Sequence, residues 1–262
     1  MAVALECRSV CFRYAKRQIL KNISFEASNG QFHAILGRNG SGKTTLLHCL
    51  NGILKTESGD IRINTMDLKT LSHRGIARHI SLVPQEHLEI FPFTVLEVVV
   101  MGRTPFLALT GSPGKTDYQM ALEALTLLNA RNLADCRYNT ISGGERQIVS
   151  LASAMVQSTE IMLLDEPTNH LDFNHQYHLL ARVRHLCRTH GSCVIASMHD
   201  PNLARLFADH VLMMDDGAVV AAGPAEQTLT TETLDRLYGT RTRKIPITGT
   251  KAFFLPEHIL EE

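Results

Sequence analysis

Residues Gly37-Arg38-Asn39-Gly40-Ser41-Gly42-Lys43-Thr44 combine glycines, one lysine and two hydroxyls at the spacing G-x-x-x-x-G-K-[ST]. Glycines let a backbone turn tightly, so that consecutive N–H groups and the start of a following helix point at phosphate oxygens. Lys43 supplies positive charge for the outer phosphates of a nucleotide, and Thr44 offers a hydroxyl to Mg²⁺. A phosphate-binding loop by itself leaves GTPases, small-molecule kinases and many ATPases open.

Asp165-Glu166 is the second half of such a site. The apolar run Ile161-Met162-Leu163-Leu164 before it reads as a buried strand, whose carboxyl end projects both acids into the crevice where ligands bind in parallel sheets. One carboxylate can hold Mg²⁺ while its neighbour polarises the attacking water, the division of labour that phosphoryl transfer to water requires.

Ser142-Gly143-Gly144-Glu145 opens a helix, since Ile148, Leu151, Ala152 and Met155 follow at helical spacing. Unobstructed N–H groups and the Ser142 hydroxyl make it a second anion site. One nucleotide has no evident use for two such helix starts about a hundred residues apart, so the natural expectation is a composite site shared between two copies of the chain.

The elements that must position these residues are legible in the hydrophobic pattern. Leu5 to Phe12 and Ile19 to Phe25 read as strands ending at Ser28-Asn29-Gly30, and Gln31 to Leu36 as a buried strand running into Gly37. Thr44 to Leu50 reads as a helix closed by Asn51-Gly52. From about residue 86 to 154 the texture is helical, for example Asp117 to Leu128, broken by the loop Gly111-Ser112-Pro113-Gly114. Strand and helix alternation then returns, with a helix from Asn174 to His190 and a strand from Cys193 to Ser197, which predicts a mostly parallel sheet. Asp215-Asp216-Gly217 marks a hairpin and Thr231 to Tyr238 a short helix. The expected fold is α/β: a P-loop NTPase core with a mostly parallel sheet, an N-terminal antiparallel β subdomain and an inserted α-helical subdomain at 86–154. Residues 1–240 form one domain and 241–262 a C-terminal extension, in which Phe253 and Phe254 suggest packing.

Composition narrows the setting. The 262 residues hold 26 Lys plus Arg against 26 Asp plus Glu, so no net basic field exists to hold a nucleic-acid backbone. Apolar stretches such as Val98-Val99-Val100-Met101 fall well short of the roughly 20 residues of a membrane-crossing helix. The N-terminus carries no visible secretory signal, which predicts a cytosolic location. The cysteines at 7, 11, 49, 136, 187 and 193 include no C-x-x-C pair and read as reduced core thiols.

Over residues 3 to 240 the sequence resembles the nucleotide-binding subunit of ATP-binding cassette (ABC) transporters. The motifs follow in order: the phosphate loop Gly37 to Thr44, Gln85 in Leu82-Val83-Pro84-Gln85, Ile141-Ser142-Gly143-Gly144-Glu145 as the signature, Asp165-Glu166-Pro167, Asn169-His170-Leu171-Asp172 as the D-loop, and His199 in Ser197-Met198-His199-Asp200 as the switch histidine. Ile141 and Glu145 depart from the usual Leu-Ser-Gly-Gly-Gln opening. The resemblance implies catalysis by Glu166, His199 and Gln85, with Mg²⁺ on Thr44, Gln85 and Asp165. It implies ATP binding by Tyr14, stacked on adenine, by Gly37, Asn39, Gly40, Ser41, Gly42, Lys43, Thr44 and Thr45, and by Ser142, Gly143, Gly144 and Asp172. Two copies would close head to tail on two ATP molecules.

Which ABC protein this is rests on the segment from Phe91 to Pro105 after Gln85, with its Gly102-Arg103 followed by Pro105. It looks like the segment of importers for iron-siderophores, haem and cobalamin, as does Asn169-His170-Leu171-Asp172 with Gln176. Such an importer subunit would dock through the helical subdomain on a separate transmembrane permease, as a peripheral protein on the cytoplasmic face of the membrane, and act only indirectly with an extracytoplasmic binding protein. Molybdate or tungstate importers share much of this pattern. A soluble cassette ATPase of DNA repair, translation or iron-sulfur assembly remains the reading from another class, although no heptad insertion and no second phosphate loop occur here. A phosphate-loop kinase or GTPase leaves Ser142-Gly143-Gly144 and His199 unexplained.

Overall fold

The structure is a computed structural model that describes residues 2–85, 92–108, 110–169, 171–247 and 252–259. Two long strands, β1 (Val3–Tyr14) and β2 (Arg17–Ser28), pair antiparallel. Along β1, Leu5, Cys7, Val10 and Phe12 turn inward, so the strand is apolar on one face only. After Gly30, in the left-handed region at φ 70°, come β3 (Phe32–Gly37) and α1 (Lys43–Leu50). Strands β4 (Ser58–Ile63) and β5 (Met66–Asp67) complete an antiparallel sheet in the order β2-β1-β4-β5.

The short helix α2 (His73–Ile76) leads into β6 (Ile80–Val83). Between β6 and the next core strand stand α3 (Val95–Val100), α4 (Lys115–Leu127) and α5 (Gly143–Val156). Thr94 caps α3 and Glu97 reaches back to the Thr94 amide, a capping box encoded by Thr-x-x-Glu. Gly102 lies where a Cβ would come within 2.1 Å of the Ser153 carbonyl, so only glycine lets the chain pass this close to α5. Arg103 then pins the segment, donating to Asp117 at 2.9 Å and to the Val156 carbonyl at 2.8 Å.

The core resumes with β7 (Ile161–Leu164), α6 (Phe173–His190), β8 (Cys193–Met198), α7 (Pro201–Phe207), β9 (His210–Asp215) and β10 (Ala218–Pro224). The main sheet runs β10-β9-β3-β8-β7-β6, parallel throughout except for edge strand β10. Alternate residues serve opposite faces. Phe32, Ala34 and Leu36 of β3 join the core that includes the helical segment, whereas Ile35 joins the one beneath the antiparallel sheet and α1. Each fully buried Leu or Ile contributes about 1.5–3 kcal/mol by leaving water.

Helices α8 (Ala225–Thr228) and α9 (Thr231–Tyr238) precede a hairpin of β11 (Thr242–Pro246) and β12 (Ala252–Pro256). Phe254 is buried and Phe253 partly so. The extension therefore folds back on the core. Two cysteines depart from the expected core thiols: Cys7, Cys49, Cys187 and Cys193 are buried, but Cys11 is half-buried and Cys136 exposed. Cys11 lies in the irregular part of β1, and Cys136 in a turn, where packing makes no demand on the side chain.

Candidate functional site

The phosphate loop leaves the carboxyl end of β3, the central strand flanked by β8 and β9. Gly40 and Gly42 have φ of 80° and 100°, a region that side chains strongly disfavour. At Gly37 a Cβ would lie 2.4 Å from Ser41 Oγ and 2.5 Å from the Met214 carbonyl, so the loop closes only on glycine. Lys43 is only 5% exposed, with its Nζ donating to the carbonyls of Gly37 at 2.9 Å and Arg38 at 3.2 Å. Burial lowers its pKa, and the nearby charges of Glu166 and Asp165 oppose that shift. Ser41 Oγ is buried and finds no hydrogen-bond partner among the described residues. An orphaned hydroxyl and a buried ammonium in a turn of glycines suit a phosphate-bearing nucleotide.

Across the crevice, β7 delivers the acidic pair. Asp165 is buried, and its Oδ1 accepts from Thr44 Oγ1 at 3.2 Å and from Ser197 Oγ at 2.6 Å. A threonine hydroxyl beside a carboxylate oxygen is a hard-oxygen pair, the donor set Mg²⁺ takes together with phosphate oxygens and water. Glu166 adopts φ 48°, a left-handed conformation that costs a non-glycine residue about 1–3 kcal/mol. The turn is held by its own amide donating to Ser197 Oγ at 2.7 Å. Its carboxylate gathers three side chains: Gln85 Nε2 donates to Oε2 at 2.8 Å, Asn169 Nδ2 donates to the same oxygen, and His199 Nε2 meets Oε1. Gln85 thus turns its amide nitrogen to Glu166.

Arg17, the phosphate loop, Gln85, Glu166, Asn169, His199 and Tyr238 line one cavity of about 1040 Å³. Gly37, Asn39, Gly40, Gly42, Lys43, Thr44 and Thr45 all reach this surface, whereas Ser41 and Asp165 lie buried just beneath it. Tyr14 does not line it; it is 51% exposed at the end of β1, edge-on to Phe12 with ring centroids 4.8 Å apart, and pairs across the hairpin with Arg17. Asp172 is also elsewhere, capping α6 through the His175 amide at 2.9 Å.

The signature segment is likewise outside the cavity, and its hydroxyl is already engaged within the helix start. Ser142 Oγ donates to Glu145 Oε2 at 2.8 Å and accepts the Glu145 amide at 3.3 Å, while the Ser142 amide donates to the same carboxylate oxygen at 2.8 Å. Ser-x-x-Glu is a capping box, and Glu145, where the usual signature has glutamine, closes it with a negative charge. Those bonds hold the Glu145 pKa below the ordinary glutamate value.

Sequence reasoning missed Ser197, Arg17 and Tyr238 as parts of this site. Ser197 stands two residues before His199, but a serine at a strand end carries no signal of its own. Tyr238 is far along the chain, and only folding returns it to the crevice. Phe91 and His170 lie outside the described residues.

A phosphate loop ending a parallel strand, faced by an Asp-Glu pair from another strand of the same sheet, defines a nucleotide-binding phosphate-loop hydrolase. The chain belongs to the ABC transporter family, whose pattern matches residues 20–169, and is an ATP-binding, ATP-hydrolysing member of it. It is 35% identical over 239 residues to the ferric enterobactin transport ATP-binding protein FepC of Escherichia coli, covering 90% of this chain and 88% of that one. It is also 35% identical over 247 residues to the hemin import ATP-binding protein HmuV of Rhizobium meliloti, covering 91% and 92%. A chain of a structure described as an inward-facing metal-chelate type ABC transporter superimposes with a TM-score of 0.85 at 30% identity, over 98% of both chains.

Proposed function

We propose that this chain is the ATPase subunit of an importer for a metal chelate, of the iron-siderophore or haem kind, and couples ATP-driven closure of two copies to uptake through a separate permease. The observation that carries the catalytic reading is the Glu166 carboxylate, held by Gln85, Asn169 and His199 in the cavity that the phosphate loop lines. Relatives that carry the names of ferric enterobactin and hemin transport support the cargo class.

Lys43 exchanges its main-chain acceptors for phosphate oxygens, and the loop amides and Ser41 donate to the same group. Thr44 and Asp165 would hold Mg²⁺ through their oxygens, and the ion, when bound, would offset the charge on the outer phosphates. Glu166 takes the proton of the attacking water. His199 and Asn169 fix its orientation, and Gln85 reports on the nucleotide from the edge of the helical segment. Tyr14 stacks on the base.

The signature at Ser142-Gly143-Gly144 completes the site of a second copy, since it lines no part of the cavity of its own chain, and Asp172 is assigned to the same shared site. Docking on the permease uses the helical segment, 86–154, near Phe91 to Pro105. Val95 is core there, but Phe93 is 39% exposed, beyond the capped start of α3. Membrane association on the cytoplasmic face comes through that partner; among the described residues no helix is long and apolar enough to cross a membrane.

The deciding experiment is an affinity pull-down of the tagged chain from gently solubilised membranes, with mass spectrometry of what it retains. A polytopic permease is the expected partner; recovery of soluble proteins alone would overturn the importer reading.

A further inference from the structure

Tyr238, the last residue of α9, lines the nucleotide cavity, and its phenol donates to the main-chain carbonyl of His199 at 2.9 Å. The chain after His199 is tied down again within three residues. Asp200 caps α7 by accepting the Asn202 amide at 2.7 Å. The Asn202 side chain then pairs with β12 as a strand would, its Nδ2 donating to the Phe254 carbonyl at 3.1 Å and its Oδ1 accepting the Phe254 amide at 2.7 Å. Strand β11 is bound to α9 in turn, because Asp235 Oδ1 accepts both the amide and the hydroxyl of Thr242 at 2.7 Å. These bonds form a closed circuit: α9 to His199, α7 to β12, and the hairpin back to α9.

We propose that this C-terminal brace, made of α9, β11 and β12, is a positioning device for ATP hydrolysis: Tyr238 and the Asn202–Phe254 pair fix the backbone of His199 so that its ring meets Glu166. The inference rests on the catalytic reading given above for His199 and Glu166. Small displacements of a catalytic group lower rates steeply, about a hundredfold for 1 Å, so one anchor on the carbonyl of this histidine and a second three residues further on have leverage on the rate. Burial, with the charge of Asp200 adding to it, pushes the Tyr238 phenol up to about 12, which keeps it a donor throughout the working range.

The test is steady-state ATPase kinetics of the full chain carrying Tyr238→Phe or Asn202→Ala, each also in a His199→Ala background, with nucleotide affinity and melting temperature measured in parallel. Tyr238→Phe keeps the packed ring and deletes only the donor. The expected result is a fall in kcat of about tenfold, equivalent to ~1.4 kcal/mol, with KM and ATP affinity unchanged. In the His199→Ala background the same substitution should change kcat less than about twofold, because a residue acting through His199 has nothing left to act on. Loss of ATP affinity in step with kcat, or an undiminished loss without His199, would make Tyr238 a nucleotide or packing contact and overturn the brace. So would full turnover in both single variants of a protein that still depends on His199. If His199→Ala itself leaves turnover intact, the catalytic reading fails first, and the brace with it.

Discussion

The Ser197 hydroxyl donates to Asp165 Oδ1 across 2.6 Å and accepts the Glu166 amide at 2.7 Å, so one fully buried side chain on β8 fixes both acids at the end of β7. It holds the buried carboxylate beside Thr44 and secures the left-handed turn that aims Glu166 into the cavity. Ser197→Ala would leave the half-buried Glu166 N–H and the buried Asp165 carboxylate each short of a partner, at about 1–3 kcal/mol. Melting curves should show that loss, and turnover should drop at least tenfold. Unchanged stability would mean that water replaces the hydroxyl without penalty.

Glu166→Gln removes the group proposed to take the proton of the attacking water. It also sets an amide against the amide of Gln85 and the ring of His199. Turnover should fall about 10²–10⁴-fold, the usual contribution of a general base. ATP binding persists because the phosphate loop is untouched, so size-exclusion chromatography with ATP should show the variant held as a dimer. Normal hydrolysis by this variant would remove Glu166 from its role.

At the signature, Glu145 places a carboxylate at a helix start that, in the proposed closed pair, the nucleotide of a second copy approaches. Glu145→Gln keeps the capping geometry and removes the charge. Repulsion between like charges near a surface is worth about 1 kcal/mol or more at close range. The ATP concentration for half-maximal turnover should therefore fall several-fold, with monomer affinity unchanged in a fluorescence titration. A rise in that concentration would show that the negative charge assists closure.

His33, inside β3 just before the phosphate loop, has its pKa lowered to about 4 from 6.5, chiefly by burial and secondarily by the adjacent His210, with Asp209 opposing. The unfolded chain takes up a proton near 6.5 while the native one does not until about 4. Stability therefore decreases as pH falls through that window, by about 3 kcal/mol for the full shift. Urea unfolding at pH 7 and pH 4.5 should show a smaller difference for His33→Gln, which retains an acceptor for the Ser28 amide that His33 Nε2 now satisfies at 3.2 Å. Equal pH dependence in both proteins would assign the acid lability to other groups.

Much of the fold was readable because the signals are local. The run Ile161-Met162-Leu163-Leu164 forms β7 as expected, Thr231 to Tyr238 is α9, and Asp216 and Gly217, both at positive φ, make the β9–β10 turn. Helix starts shifted by a residue or two: the first core helix begins at Lys43, directly after the left-handed Gly42, and α4 at Lys115, where the Asp117 carboxylate accepts the Gly114 amide, features that hydrophobic spacing does not carry. The signature was the instructive miss. Its serine and glutamate were both read, but their bonding to one another, three residues apart, was not.

Sequence alone determined the chemistry of the phosphate loop, since only glycine can take the left-handed turns at 40 and 42 or the close approach at 37, and only lysine and threonine follow them. It determined the order of the motifs, and with it the family. The tertiary structure decided which distant residues share a carboxylate and which backbone each anchor holds: Gln85 and His199 on Glu166, Ser197 beneath Asp165, Tyr238 on the carbonyl of His199. The reason is physical. Propensity, capping and turn chemistry act over a few residues along the chain, whereas hydrogen bonds between strand ends depend on strand order and register, which the chain sets only by closing its core.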